Sequence, residues 1–191
     1  MAGKQAKVLT NHQLRSLLAH TNATRNPARN VVIVLLSVKA GLRAAEIAKL
    51  TWQMVLTADG AVGDAIYLED KIAKKKSGRT IPIHPALRIA LVRLLRTEHG
   101  EGTVVRSERN QPMTPMSIVN WFALAYRTIG LVGCSSHSGR RSFITRAARI
   151  VHKTGGSLRD VQLLAGHKSI SMTQRYIDGD PIAQKRLVSL I

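Results

Sequence analysis

Cysteine, acidic residues and long apolar runs are what this chain has least of. One cysteine, Cys134, stands among 191 residues. It excludes an intramolecular disulfide and fits a reducing compartment, so a cytoplasmic protein is expected. There is no H-E-x-x-H segment and no cysteine pair, so the seven histidines lack zinc-site spacing. No metal and no other cofactor is expected. The longest apolar run, "VVIVLL" at 31–36, falls far short of the ~18 residues of a spanning helix. The start, "MAGKQAKVLT", has no signal-peptide core, and no membrane partner is expected. Familiar nucleotide and acyl-transfer motifs are missing too. "KKKSG" lacks the upstream glycine of a P-loop, no serine has lysine three residues on, and there is no G-x-S-x-G.

The shortage of acid is the informative one. Eleven Asp+Glu face 29 Lys+Arg, a formal charge of +18. An imbalance of that size implies a polyanionic partner, and nucleic acid is the default. The 45% hydrophobic content suffices for one sizeable core. No repeat, low-complexity stretch or dividing linker interrupts the chain, so a single domain is expected.

Local signals predict a mainly α chain with one small antiparallel sheet. "TNHQ" at 10–13 has capping-box spacing and opens a first helix. Pro27 opens a second, apolar nearly all round and closed by Gly41. "AAEIAKLTW" follows as a third. "AIYLE" (65–69) and "RTIPI" (79–83) read as a hairpin with the lysine-rich tip "DKIAKKKSG". Pro85 and Thr114-Pro115 open further helices. Others are expected at 138–152, 158–165 with Ser157 as cap, 170–177 and 181–190.

Four places hold residues suited to chemistry. "GLRAAEI" sets Arg43 at a helix junction. The hairpin tip carries Lys74, Lys75 and Lys76. "HSGRRSF" spaces His137 and Arg140 so that both fall on one face of a helix start. "AGHKSISMTQRYI" gives His167 and, nine residues on, Tyr176. Each alone reads more readily as a solvated or structural feature. Charge matching joins them. A phosphodiester under attack becomes a pentacoordinate dianion, which two arginines can grip with forked, charge-assisted hydrogen bonds. A lysine can protonate the leaving oxygen, a histidine can take or share the nucleophile's proton, and a tyrosine hydroxyl can attack to form a phosphotyrosyl intermediate. The covalent link conserves the phosphodiester energy.

Arginine in "GLRAAEI", lysine before "RTIPI", His-x-x-Arg, Gly-His, then tyrosine: this order resembles the catalytic domain of tyrosine recombinases, the phage integrase family. The resemblance runs from "LTNHQLRSLLAH" to Tyr176 and the tail. It implies that Arg43 and Arg140 clamp the phosphate and that Glu46 supports them. His137 would stand near nucleophile and phosphate, His167 would donate to the phosphate, and Tyr176 would be the nucleophile joined to a 3′-phosphate. Family spacing back from Pro82 selects Lys74 as general acid, with Lys75 and Lys76 one and two positions away. Lys75, Lys76, Arg79, Arg141 and Lys168 are expected to contact DNA. Two positions depart from the family pattern: Gly139 replaces a bulky apolar residue and is expected to loosen the helix start, and Arg141 replaces a common histidine.

The resemblance further implies double-stranded DNA as partner, a tetramer on paired sites, and association with the nucleoid. The catalytic domain is expected over roughly 8–178 with a tail helix at 180–191, and without the N-terminal core-binding domain usual in relatives. A one-sided grip predicts salt-sensitive binding: about six to ten phosphate contacts would lose ~10³–10⁵ in affinity between about 50 and 200 mM salt. The tail's Ile182, Leu187, Val188, Leu190 and Ile191 would dock either on a neighbouring protomer or back on the chain's own core. Two other functions fit the same residues: a non-catalytic DNA-binding regulator, and relaxation of supercoils as by type IB topoisomerases.

Overall fold

The computed structural model describes residues 6–70, 78–98, 100–176, 184, 185, 188, 189 and 191. The hairpin tip with Lys74, Lys75 and Lys76 lies outside these residues, as does most of the expected tail helix.

The helices begin where local chemistry says they should. α1 (Asn11–Asn22) starts at a capping box in which Thr10 Oγ1 accepts from Gln13 N–H and the Gln13 side chain accepts from Thr10 N–H. α2 (Pro27–Lys39) has proline in its first turn and is buried nearly all round. It is the axis of the molecule, with α1, α4 (Pro85–Leu95) and α6 (Ser138–Ile150) packed around it. α5 (Pro115–Thr128), capped by Thr114, packs on α3 (Ala44–Lys49).

The third helix is shorter than its sequence suggests. It stops at Lys49 because Leu50 turns extended and Thr51 bridges Thr103, after which Trp52 begins a 3₁₀ turn. That interruption comes from a partner some fifty residues away and has no local signal. Strands β1 (Ala65–Leu68) and β2 (Arg79–Pro82) pair antiparallel, with Ala65 opposite Pro82 and Leu68 opposite Arg79. The paired Ile66 and Ile81 are both buried and pin the register, since a one-residue slip would turn them to solvent.

α6 passes into a 3₁₀ turn at Val151–Thr154 that ends at left-handed Gly155. α7 (Leu158–Ala165) has Ser157 as cap and Asp160 completing a capping box, and it closes on Gly166 at φ 60°. α8 (Ile170–Gln174) ends two residues before Tyr176. Two separate apolar clusters result. The larger runs from Leu9 to Tyr126 and fills the space between α1–α5 and the sheet. The smaller consists of Ile144, Val161 and Ala165, with Phe143, Leu158 and Tyr176 against it. No described helix is long and apolar enough to cross a membrane.

Gly139 does not loosen α6. A Cβ there would lie 2.2 Å from Ser37 Oγ, so its missing side chain is what lets α6 approach α2. The chain before α1 is fastened to the same helix: Leu9 N–H donates to Ser142 Oγ (2.7 Å), and Arg146 Nη2 donates to the Leu9 carbonyl (2.8 Å).

Candidate active site

One carboxylate organises the arginines. Glu46, 1% exposed, sits in the first turn of α3. It accepts from Arg43 N–H (2.8 Å) and Arg43 Nη1 (2.7 Å). From the other side Arg79 donates Nη1 and Nη2 to its two oxygens, both at 3.1 Å. Burial pushes the Glu46 carboxyl up. The hydrogen bonds and charge of Arg79, then of Arg43, outweigh it and hold the group down at about 2. Glu46 is therefore a charged strut beneath two guanidiniums.

Arg79 does not stand outward as a DNA-contacting residue would. It is 6% exposed, and its Nε donates to the carbonyl of Leu164 at 2.8 Å. It thereby ties β2 to the end of α7. A Cβ on Gly166 would come within 2.8 Å of its Nη1, so the glycine is needed for this contact as well as for its left-handed turn. The sequence could have disclosed the role only through the strand register, which turns Arg79 inward opposite buried Leu68.

Arg140 lies in the first turn of α6, buried. Its Nη1 donates to the carbonyl of Gly41 and its Nη2 to that of Ala165. Burial first, and the Arg43 charge next, pull its pKa below the usual arginine range, with Glu46 opposing. A guanidinium has five N–H groups. Two of Arg140's have protein partners among the described residues, and the residue lines the cavity described below. Gly41 adopts φ 65° with Phe143 against its Cα, where a Cβ would collide with the ring; the carbonyl that receives Arg140 is set by that turn.

His137 caps α6 and is exposed, its N–H donating to Ser135 Oγ. His167 follows Gly166 and is 7% exposed. Its backbone N–H donates to the Gln162 carbonyl and its carbonyl accepts from Gln162 Nε2. Burial, then the charges of Arg140, Arg43 and Arg79, lower its pKa to about 4, so the ring is neutral at neutral pH. Its face stacks on Tyr176, with ring centroids 5.4 Å apart and planes 25° from parallel. Tyr176 is half-buried against the smaller cluster, and its carbonyl accepts from Thr145 Oγ1.

Arg43, His137, Arg140, Arg141, His167 and Tyr176 line one cavity of about 370 Å³. Ala6, Met172 and Arg175 complete its wall. Arg175 was not anticipated, although its position beside the tyrosine was a signal in plain view. Lys168 is exposed and lines a neighbouring depression with Gly78, Thr80 and Leu163. Two guanidiniums bond Glu46, and a third, that of Arg140, feels its charge, in surroundings largely shielded from water. Such a site has a strong unmet preference for an anion.

Comparison with known proteins gives a family match, two curated relatives and a structural neighbour. Residues 7–181 match the sequence model of the Phage integrase family. The chain is 31% identical over 163 residues to tyrosine recombinase XerC of Mesorhizobium japonicum, covering 80% of this chain and 47% of that protein. It is 28% identical over 156 residues to XerC of Lactobacillus delbrueckii subsp. bulgaricus, covering 78% and 50%. The chain thus spans about half the length of these curated relatives. Its fold matches that of XerH site-specific recombinase bound to palindromic difH substrate in a post-cleavage complex. The TM-score is 0.77 at 18% identity, over 99% of this chain and 54% of that one.

Proposed function

Because the chain belongs to the Phage integrase family, we propose that it is the catalytic unit of a site-specific DNA recombinase that cuts and rejoins strands through a phosphotyrosyl link on Tyr176. The observation that carries this reading is the convergence on one cavity of Arg43, His137, Arg140, His167 and Tyr176, from segments that lie far apart in the sequence. A structural explanation would account for one buried arginine, but not for Arg43, Arg140, two histidines and a tyrosine lining one cavity.

The chemistry follows from the donors. Arg43 and Arg140 hold the non-bridging oxygens of the scissile phosphate, and their attraction grows as charge accumulates in the transition state. His167 adds a neutral donor. The Tyr176 oxygen attacks phosphorus, its proton passing toward His137 or solvent, and the 5′-oxygen leaves as the hydroxyl. Lys74 is the residue proposed to protonate that oxygen; it lies outside the described residues. Attack by a 5′-hydroxyl from a second strand reverses the steps and exchanges strands. DNA is the partner, with Lys75, Lys76, Arg141 and Lys168 as further phosphate contacts. Pairwise assembly on two sites, with the tail acting between protomers, extends the same reading.

A nicked duplex carrying the cognate site tests it. Cleavage beside the nick lets the short strand diffuse away and traps the protein on DNA. A covalent adduct that survives denaturant and is lost in Tyr176→Phe is the expected result. No adduct on the cognate site, or one that persists in Tyr176→Phe, would falsify the assignment. Steady relaxation of plasmids lacking paired sites would redirect it to topoisomerase chemistry.

A further inference from the structure

We propose that Thr173 is a positioning residue that sets the tautomer of His167: its hydroxyl donates to Nδ1, which keeps the single ring proton on Nε2, the nitrogen left to face the cavity. The purpose of this arrangement rests on the recombinase reading above, but the hydrogen-bond argument does not.

Thr173 is fully buried, at 0% exposure, and its Oγ1 lies 3.0 Å from His167 Nδ1. A buried hydroxyl proton needs an acceptor. Helical threonines commonly use the carbonyl one turn back, as Thr21 does with Leu18 and Thr128 with Leu124. Thr173 has no such bond, and among the described residues Nδ1 is the only partner of its Oγ1. If Nδ1 were the donor, the threonine proton would be buried with nothing to accept it. The satisfied arrangement has O–H donating to Nδ1. Nδ1 is then a lone pair, and a neutral imidazole must carry its proton on Nε2.

The ring is also held by the two Gln162 bonds to its backbone and by the stack on Tyr176, neither of which uses the Thr173 side chain. Thr173 therefore governs which nitrogen is protonated rather than where the ring lies. An Nε2–H donates to a phosphate oxygen, whereas the opposite tautomer would present a lone pair and repel it. The same residue also accepts Tyr176 N–H on its carbonyl, at 3.0 Å. Seating of the nucleophile and polarity of the donor beside it are thus set by one residue of α8. If α8 moves away, both are lost together.

Long-range ¹⁵N NMR of the full chain at neutral pH, without DNA, reads the tautomer directly, with the His167 signals assigned by their loss in His167→Asn. The expected result is a protonated Nε2 and a bare, pyridine-type Nδ1. Thr173→Ser should preserve this pattern, and Thr173→Val, which keeps the shape but lacks the hydroxyl, should abolish it. An Nδ1–H ring in the parent protein, or an unchanged pattern in Thr173→Val, overturns the inference. On a nicked duplex, Thr173→Val should slow adduct formation roughly tenfold. That loss should disappear in a His167→Trp background, where the indole N–H has no alternative tautomer; an equal loss there would mean the threonine is merely structural. Failure of the parent protein to form any adduct would overturn the recombinase reading while the NMR still decides the tautomer.

Discussion

The two apolar clusters differ in size and in what they carry. The larger one supports Arg43 at the cap of α3, Glu46 within it and Arg79 on β2, with dozens of buried side chains behind them. The smaller has three fully buried residues, Ile144, Val161 and Ala165, and supports His167 and Tyr176. Each buried aliphatic side chain contributes on the order of 1.5–3 kcal/mol, so Tyr176 is backed by far less apolar burial than Arg43 and Arg79. The arginine side of the cavity is therefore expected to open less readily than the side that seats His167 and Tyr176. Arg140 is the joint between them, with one hydrogen bond to Gly41 and one to Ala165.

Tyr176→Phe breaks the comparison most severely. It removes the reacting oxygen but keeps the ring in the small cluster. Adduct formation should vanish while thermal unfolding stays where it was; a large drop in Tm would show the hydroxyl to be structural instead.

Glu46→Gln attacks the rigid side. Two guanidiniums would lose a buried counter-charge, which should cost ~3–5 kcal/mol in urea unfolding. The pH profile has a definite sign. The folded-state pKa is depressed from 4.5 to about 2, so the contribution is present above 4.5 and is lost as pH falls toward 2. The variant should lack that acid limb, and an unchanged profile would show that the carboxylate is not the strut.

Gly139→Ala tests the seam between the two regions. Its Cβ would press on Ser37 Oγ, which should destabilise the fold by ~1–3 kcal/mol. Ser37→Ala should recover part of that loss in the double variant.

The smallest effects sharpen the comparison best. Ile144→Val and Ile33→Val should each cost ~0.5–1.5 kcal/mol. Only Ile144→Val should slow adduct formation, because only it loosens the platform under Tyr176. Hydrogen exchange should agree, with amides of α7 and α8 opening before those of α2. Equal protection in the two regions would remove the distinction.

What was legible in the sequence divides along similar lines. The capping box at Thr10, the proline starts at Pro27 and Pro115 and the stop at Gly166 are local events, determined by residues within one turn, and the structure has them where the sequence predicts. The order of Arg43, His137, Arg140, His167 and Tyr176 was legible as a pattern, and the fold brings these residues to one cavity. Arg79, Gly139 and Thr173 were misread or passed over because each takes its meaning from a partner that sequence separation conceals. Arg79 faces Glu46 across 33 positions, and Gly139 meets Ser37 across a hundred. Thr173 is only six residues from His167, yet its role emerges from a missing bond to its own helix.

The fastening of Leu9 to α6 has a mechanical consequence. Both polar backbone groups of that residue are held by side chains one turn apart, Ser142 and Arg146, on the helix that carries Arg140. Leu9 is also buried in the large core, so tension along the chain before α1 is shared between that core and α6. Residues 6–8 are thereby coupled through Leu9 both to the large core and to the helix that bears Arg140.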